Sequence, residues 1–114
     1  MRKHHWDLAL KVADLSEFGN KHGAVITAGS RVLSLGINVD RCRSHTTIHA
    51  EASAITKLRT TELETATLYS ARVSRHNRAP MISKPCASCE ALIRRAGITK
   101  IVYYDGHAIR EEKL

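Results

Sequence analysis

A chain of 114 residues, 43% hydrophobic and 25% charged, has the composition of a soluble globular protein and the length of one compact domain. Its apolar runs are too short to span a membrane, and the basic start Met1-Arg2-Lys3-His4-His5-Trp6 leads into Asp7 and Lys11 rather than an apolar signal region, so cytoplasmic residence without a membrane partner is expected. The formal net charge of +7 predicts attraction to an anionic partner, a nucleotide or a nucleic acid.

From about Trp6 to Phe18 the apolar residues Leu8, Val12 and Leu15, flanked by Ala9 and Ala13, recur at three- and four-residue spacing. That pattern predicts an amphipathic first helix, ended by Gly19-Asn20. Gly23–Ala28 and Arg31–Asn38 are β-branched or aliphatic runs separated by Gly29-Ser30, an antiparallel hairpin signal. Asp40–Thr47 is polar, basic and without period, and is expected to be a loop. A second helix is predicted over roughly Ile48–Leu58, with Ala50, Ala54, Ile55 and Leu58 as its buried stripe and Lys57 and Arg59 near the end that favours positive charge.

Thr65–Val73 alternates imperfectly and predicts a third strand, whereas Ser74–Ser83, with Pro80 and a basic cluster, reads as a surface loop or a short extra ribbon. Pro85 suits a helix start, and Cys89, Leu92, Ile93 and Ala96 mark one helical face before Gly97. Ile98–Tyr104 is then a fourth strand, Asp105-Gly106 a turn and Ala108–Leu114 a short terminal helix. Two strands joined through a helix are expected to be parallel, which makes the fold a three-layer α/β/α arrangement around a mixed sheet of at least four strands.

The three cysteines are an odd number, and in a reducing compartment Cys86 and Cys89 read better as thiolate metal ligands than as a disulfide. Cys42 reads as an ordinary reduced thiol. A catalytic zinc needs three protein ligands and one position for water, and His49, Cys86 and Cys89 provide that count. At the start of a helix, Cys86 and Cys89 share a face, and the amide-rich end favours their thiolates. Glu51, two residues beyond His49, is placed in a first helical turn to shuttle a proton without becoming a ligand. Together, His49-Ala50-Glu51 and Pro85-Cys86-Ala87-Ser88-Cys89 form the H-x-E and P-C-x-x-C signature of the zinc deaminases. The competing reading is a closed structural zinc module completed by Cys42, His45 or His76, which leaves Glu51 without a task. His45 and His76 otherwise read as exposed loop residues, Tyr103 and Tyr104 as strand packing, and Arg41, Arg43, Arg94 and Arg95 as solvated surface charge.

Over roughly Trp6 to Asp105 the chain resembles the cytidine and deoxycytidylate deaminase superfamily, and it is similar in element order to that superfamily's tRNA adenosine deaminase branch. The resemblance implies a single deaminase domain over residues 1–114, one zinc ion on His49, Cys86 and Cys89, and Glu51 carrying a proton from the water to the ring nitrogen and the departing amine. It also implies that Asn38 contacts the sugar or base, that the Ala50 backbone contacts the base, and that the protein is a homo-oligomer. Two departures stand out: a long basic loop ending in Ser83-Lys84-Pro85 precedes the cysteines, and little chain follows the fourth strand, so a neighbouring subunit is expected to complete the pocket wall.

Arg72, Arg75, Arg78 and Lys84 fall before Cys86 with no acidic residue among them, and are the candidate substrate-binding cations. The preferred substrate is a small one, cytidine, deoxycytidine or its monophosphate, deaminated to the uracil product with release of ammonia; one or two of these cations would pair a 5′ phosphate. The alternative is cytosine or adenine within single-stranded DNA or RNA, which would use more of the +7 charge but finds only 4% aromatic residues for stacking.

Overall fold

The computed structural model describes residues 1–17, 19–41, 46–58 and 65–114. Helix α1 (Lys3–Asp14) begins earlier and ends sooner than the spacing predicts, and its buried stripe is His5, Trp6, Ala9, Val12 and Ala13. Leu15, 70% exposed, lies outside that stripe. The helix stops there because Lys21 Nζ reaches back to the Asp14 and Ser16 carbonyls at 2.8 and 2.9 Å, satisfying orphan acceptors with a positive charge at the C-terminal end.

Strands β1 (Asn20–Ala28) and β2 (Arg31–Ile37) form the expected hairpin, turned by Gly29 at φ 59°. Strands β3 (Val39–Arg41) and β4 (Thr46–Ile48) pair with each other, so the ends of the Asp40–Thr47 segment are a two-stranded ribbon rather than loop. Cys42 and His45 lie outside the described residues, as does Arg59. Helix α2 (Ala50–Thr56) leads on to β5 (Ala66–Ser74), and β6 (Pro80–Met81) folds back on β5 as the short ribbon. Helix α3 (Ala87–Ala96) ends at Gly97 in the left-handed conformation, φ 92°, followed by β7 (Lys100–Tyr104).

The expected terminal helix is instead a strand, β8 (Ile109–Lys113), antiparallel to β7 in the register Tyr103↔Arg110 and Ile101↔Glu112. Asp105 makes the turn by accepting from the His107 and Ala108 amides, both at 2.8 Å, which aims the chain back along β7. The free β7 edge then offers a ladder of backbone partners that an isolated terminal helix would lack.

The main sheet has six strands in the order β2-β1-β5-β7-β8, with β6 paired to β5, and β5 and β7 are parallel as predicted. Period-two alternation sorts its faces. Ala24, Ile26, Leu68, Ile101 and Tyr103 pack with α2 and α3, through Ala50, Ala54 and Ile93. Val25, Tyr69, Ala71 and Val102 pack with α1 on the other side. This is the expected three-layer α/β/α arrangement around a mixed sheet.

The even-numbered face of β1 and β5 carries His22, Ser70 and Arg72 beyond the apolar residues, at the end where α2 and α3 begin. Ser83 fastens that end: its Oγ donates to the Ser70 carbonyl at 2.7 Å and accepts from the Tyr104 amide at 3.0 Å, and its own amide donates to the Tyr104 carbonyl, bridging β5 and β7 where β6 replaces β7 as the neighbour of β5. The Lys84-Pro85-Cys86 segment is thereby delivered to the carboxyl ends of two parallel strands, the usual crevice of an α/β sheet.

Helix α2 lies against β2 at backbone distance. A Cβ on Gly36 would come within 2.5 Å of the Ala50 oxygen and the Ala54 nitrogen. Gly36→Ala is therefore expected to push α2 away, destabilising the protein by about 1–3 kcal/mol and lowering Tm by roughly 5–15 °C. A thermal melt checks it, and zinc content should fall along with Tm, because α2 carries Glu51 and is capped by His49.

Candidate metal centre and its pocket

His49 and Cys86 are the N-cap residues of α2 and α3, with backbone in the extended region, and Cys89 lies in the first turn of α3. Two helix N-termini thus converge on one point, contributing positive potential where thiolates are needed. His49 Nδ1 is 3.1 Å from Cys89 Sγ and 3.8 Å from Cys86 Sγ, and one ligand atom from each residue lies within 4.8 Å of the others. Among the described residues this is the one group of three or more potential ligands. His76, exposed at the tip before β6, is not in it.

The donor set fits a single zinc ion: one imidazole and two thiols in reach of a common centre, with a tetrahedral position left over. The electrostatics agree. Hydrogen bonds from Ser88 and from the Cys89 amide pull the Cys86 thiol down to about 7, so it is readily a thiolate. Burial, and then the adjoining Glu51 carboxylate, push the Cys89 thiol up. Two sulfurs beside a buried carboxylate are repulsive as anions unless a cation lies among them.

Glu51 is 1% exposed, in the first turn of α2. Its Oε1 is 2.7 Å from His22 Nε2 and 3.2 Å from Ser70 Oγ. Burial pushes its carboxyl up, but the hydrogen bond and charge of His22, with smaller contributions from Cys89 and Ser70, outweigh this and hold it below the usual carboxylate value. The group is therefore an ionised base at neutral pH.

These residues open on a cavity of about 500 Å³, within the range of about 300–1,000 Å³ usual for small-molecule sites. It is lined by His49, Glu51 and Cys86, by Gly19, Asn20, His22 and Asn38, and by Arg72, Lys84 and Pro85. Asn38 is buried and held, its Oδ1 accepting from Ser16 Oγ at 2.6 Å and from the His22 amide at 3.1 Å, its Nδ2 donating to the Asn20 carbonyl at 2.7 Å. One Nδ2 hydrogen remains for a ligand. Ala50 has its side chain in the core beneath the site.

Of the four candidate cations, the fold brings two to the cavity. Arg72 is steadied by Asn20 Oδ1 at 2.9 Å and the Ile82 carbonyl at 3.3 Å. Lys84 lies 5.7 Å from the Tyr103 ring centroid and 3.9 Å from Glu112 Oε1. Arg75 and Arg78 are not among the lining residues. Arg78 pairs with Asp14 at 3.0 Å, at the end of α1. Gly19, Asn20, His22 and Ser70 are the residues around the candidate site that sequence reasoning missed. The available signal was the even-numbered alternation Ala24, Ile26, which extended one step back places His22 on the same face.

Residues 2–105 match the model of the cytidine and deoxycytidylate deaminase zinc-binding region, and the chain belongs to that family. No curated protein sequence matches the chain significantly. Among solved structures it is similar to a cytidine deaminase from Burkholderia pseudomallei, with TM-score 0.71, 17% identity, and coverage of 99% of this chain and 93% of that one. A dCMP deaminase from the cyanophage S-TIM5 aligns with TM-score 0.62 and 25% identity over 94% of this chain and 87% of that one. A mutant form of the Mycobacterium tuberculosis cytidine deaminase aligns with TM-score 0.64 and 21% identity, over 97% and 88% of the respective chains. Among the described residues, no helix is long and apolar enough to cross a membrane.

Proposed function

We propose that the protein is a zinc-dependent hydrolytic deaminase of a cytosine-type base on a free nucleoside or nucleoside monophosphate, with His49, Cys86 and Cys89 as ligands and Glu51 as proton shuttle. The observation that carries this reading is the cavity lined together by His49 and Cys86 of the ligand triangle, the buried Glu51 carboxylate and two cations, Arg72 and Lys84. A zinc ion bound there supplies Lewis acidity that lowers the pKa of a coordinated water towards neutrality.

The chain's own groups do the rest. Glu51, ionised and shielded from solvent, takes one proton from the attacking water and gives it to the ring nitrogen, then takes the remaining hydroxyl proton from the adduct and gives it to the departing amine, so the carbonyl forms, ammonia leaves and Glu51 ends as it began. Asn38, fixed by three hydrogen bonds, offers its remaining Nδ2 hydrogen to the sugar or base. Arg72 and Lys84 pair the 5′ phosphate, a contact that suits the kind of ligand in the solved complex of the cyanophage enzyme with dCMP and dUMP. Arg78, engaged by Asp14, is outside the substrate set.

The test is a turnover panel of cytidine, deoxycytidine, their monophosphates and short single-stranded oligonucleotides, with the native chain and with Arg72→Ala. The monophosphates are expected to react best, and Arg72→Ala to lower their kcat/KM by about tenfold or more while leaving the nucleosides nearly unchanged. The net charge of +7 is the feature that favours a polynucleotide instead. Turnover of oligonucleotides alone, weakening steeply with salt, would overturn the small-substrate reading.

A further inference from the structure

We propose that His22 is a positioning residue that holds one oxygen of the Glu51 carboxylate through an Nε2–H hydrogen bond, leaving the other oxygen for the reacting water and base. The inference rests on the deaminase reading above. Three polar atoms meet beneath the cavity: His22 Nε2 is 2.7 Å from Glu51 Oε1 and 2.8 Å from Ser70 Oγ, and Ser70 Oγ is 3.2 Å from Oε1. The carboxylate oxygen serves as an acceptor here, and Ser70 has only one hydrogen to give. That hydrogen is drawn to the Ser83 carbonyl at 2.7 Å, closer than the carboxylate. Ser83 in turn gives its own hydroxyl hydrogen to the Ser70 carbonyl at 2.7 Å, so the two serines satisfy each other. The hydrogen between His22 and Glu51 therefore belongs to the imidazole, which fixes a protonated Nε2.

The ring can impose an orientation because its backbone is held on both sides. The His22 amide donates to Asn38 Oδ1 at 3.1 Å, its carbonyl accepts from the Asn38 amide at 3.2 Å, and the residue pairs with Arg72 in the β1–β5 register. Glu51, by contrast, belongs to a helix of seven residues. The Nε2–H bond thus ties the Glu51 side chain on α2 to β1, a strand paired along both of its edges. Proton balance is unchanged by this role: Glu51 gains the proton that water loses and passes it to the substrate, and His22 keeps its own throughout.

The experiment compares His22→Leu, which removes the donor, with His22→Gln, whose side-chain amide reaches a similar place. With zinc content and Tm near native, His22→Leu is expected to lower kcat about 10- to 100-fold, the worth of one hydrogen bond to a charged group, with KM within about threefold, and His22→Gln to recover most of it. Nitrogen-15 imidazole spectra of the native protein should show Nε2 protonated, with a resonance that moves in Glu51→Gln while His76 and His107 stay put. Native kcat in a folded, zinc-loaded His22→Leu protein, or a His22 ring protonated only on Nδ1, would overturn the proposal. Should His22→Leu fail to fold, His22→Gln against His22→Asn carries the test, because the shorter amide cannot reach Oε1; equal kcat in the two overturns it. A native protein inactive on the whole panel but with the Nε2–H bond intact would instead overturn the deaminase reading.

Discussion

Glu51→Gln should leave a folded, zinc-loaded protein whose turnover is lower by a factor of about 10² to 10⁴, the usual contribution of a positioned general acid or base. The substitution keeps the shape of the side chain, and an amide oxygen at the Oε1 position can still accept from His22 Nε2, 2.7 Å away in the native protein. It removes only the capacity to take up and return a proton. Because Glu51 is 1% exposed and bonded to His22 and Ser70, truncation to Ala would confuse the result by opening a hole beneath the cavity and removing the carboxylate partner of His22. Single-turnover measurements with metal analysis separate the outcomes. One zinc per chain with turnover lost supports the shuttle. Turnover within a few fold of native, with zinc bound, would sink it.

The fold and the site were legible to different depths. Alternation over β1 and β5 and the three- and four-residue spacing in α1 and α3 are local patterns, and they located these elements with errors only at the ends. Gly97 announced the end of α3 because a left-handed cap strongly favours glycine. The terminal segment misled for an equally local reason. Arg110-Glu111-Glu112-Lys113 is rich in helix formers, yet the unpaired edge of β7 offered backbone partners, and tertiary pairing overrode propensity. The three-residue strands β3 and β4 are too short to show any period. In α1 the apolar spacing was real, but Trp6, Ala9 and Val12, not Leu15, face the sheet, since Lys21 draws the chain off the helix at Asp14 and Ser16.

The ligand triangle and Glu51 stood out in sequence because their spacing is chemistry, two short motifs each at a helix start. Nothing local marks His22 and Ser70. They meet Glu51 only through the β1–β5 register and the packing of α2 over it, contacts 29 and 19 residues apart in the chain. The basic cluster shows the converse problem. Arg72, Arg75, Arg78 and Lys84 look alike in sequence, but strand alternation and the β6 turn send Arg72 and Lys84 to the cavity and Arg78 to Asp14. Charge counts cannot make that distinction, whereas the pairing of β5 with β1 and β6 does.

Cys89→Ala is expected to abolish zinc binding and turnover together, and to make the melting temperature indifferent to zinc. Cys89 is 5% exposed and 3.1 Å from His49 Nδ1, so its sulfur is the most enclosed member of the triangle. In the native protein, free zinc at about a hundredfold above its dissociation constant should add about 2.7 kcal/mol to stability, raising Tm by roughly 10 °C in a chain of this size. A chelator should reverse the gain. Cys89→Ala removes few packing atoms, so its Tm should lie near that of the chelated native protein and respond to neither reagent. The same melts test the closed structural module. If a fourth protein ligand completed the site, Cys42→Ala, His45→Ala or His76→Ala would lose the zinc-dependent increment. All three are expected to keep it, together with one zinc per chain, because the proposed shuttle requires a fourth position left open to the water whose proton Glu51 would move.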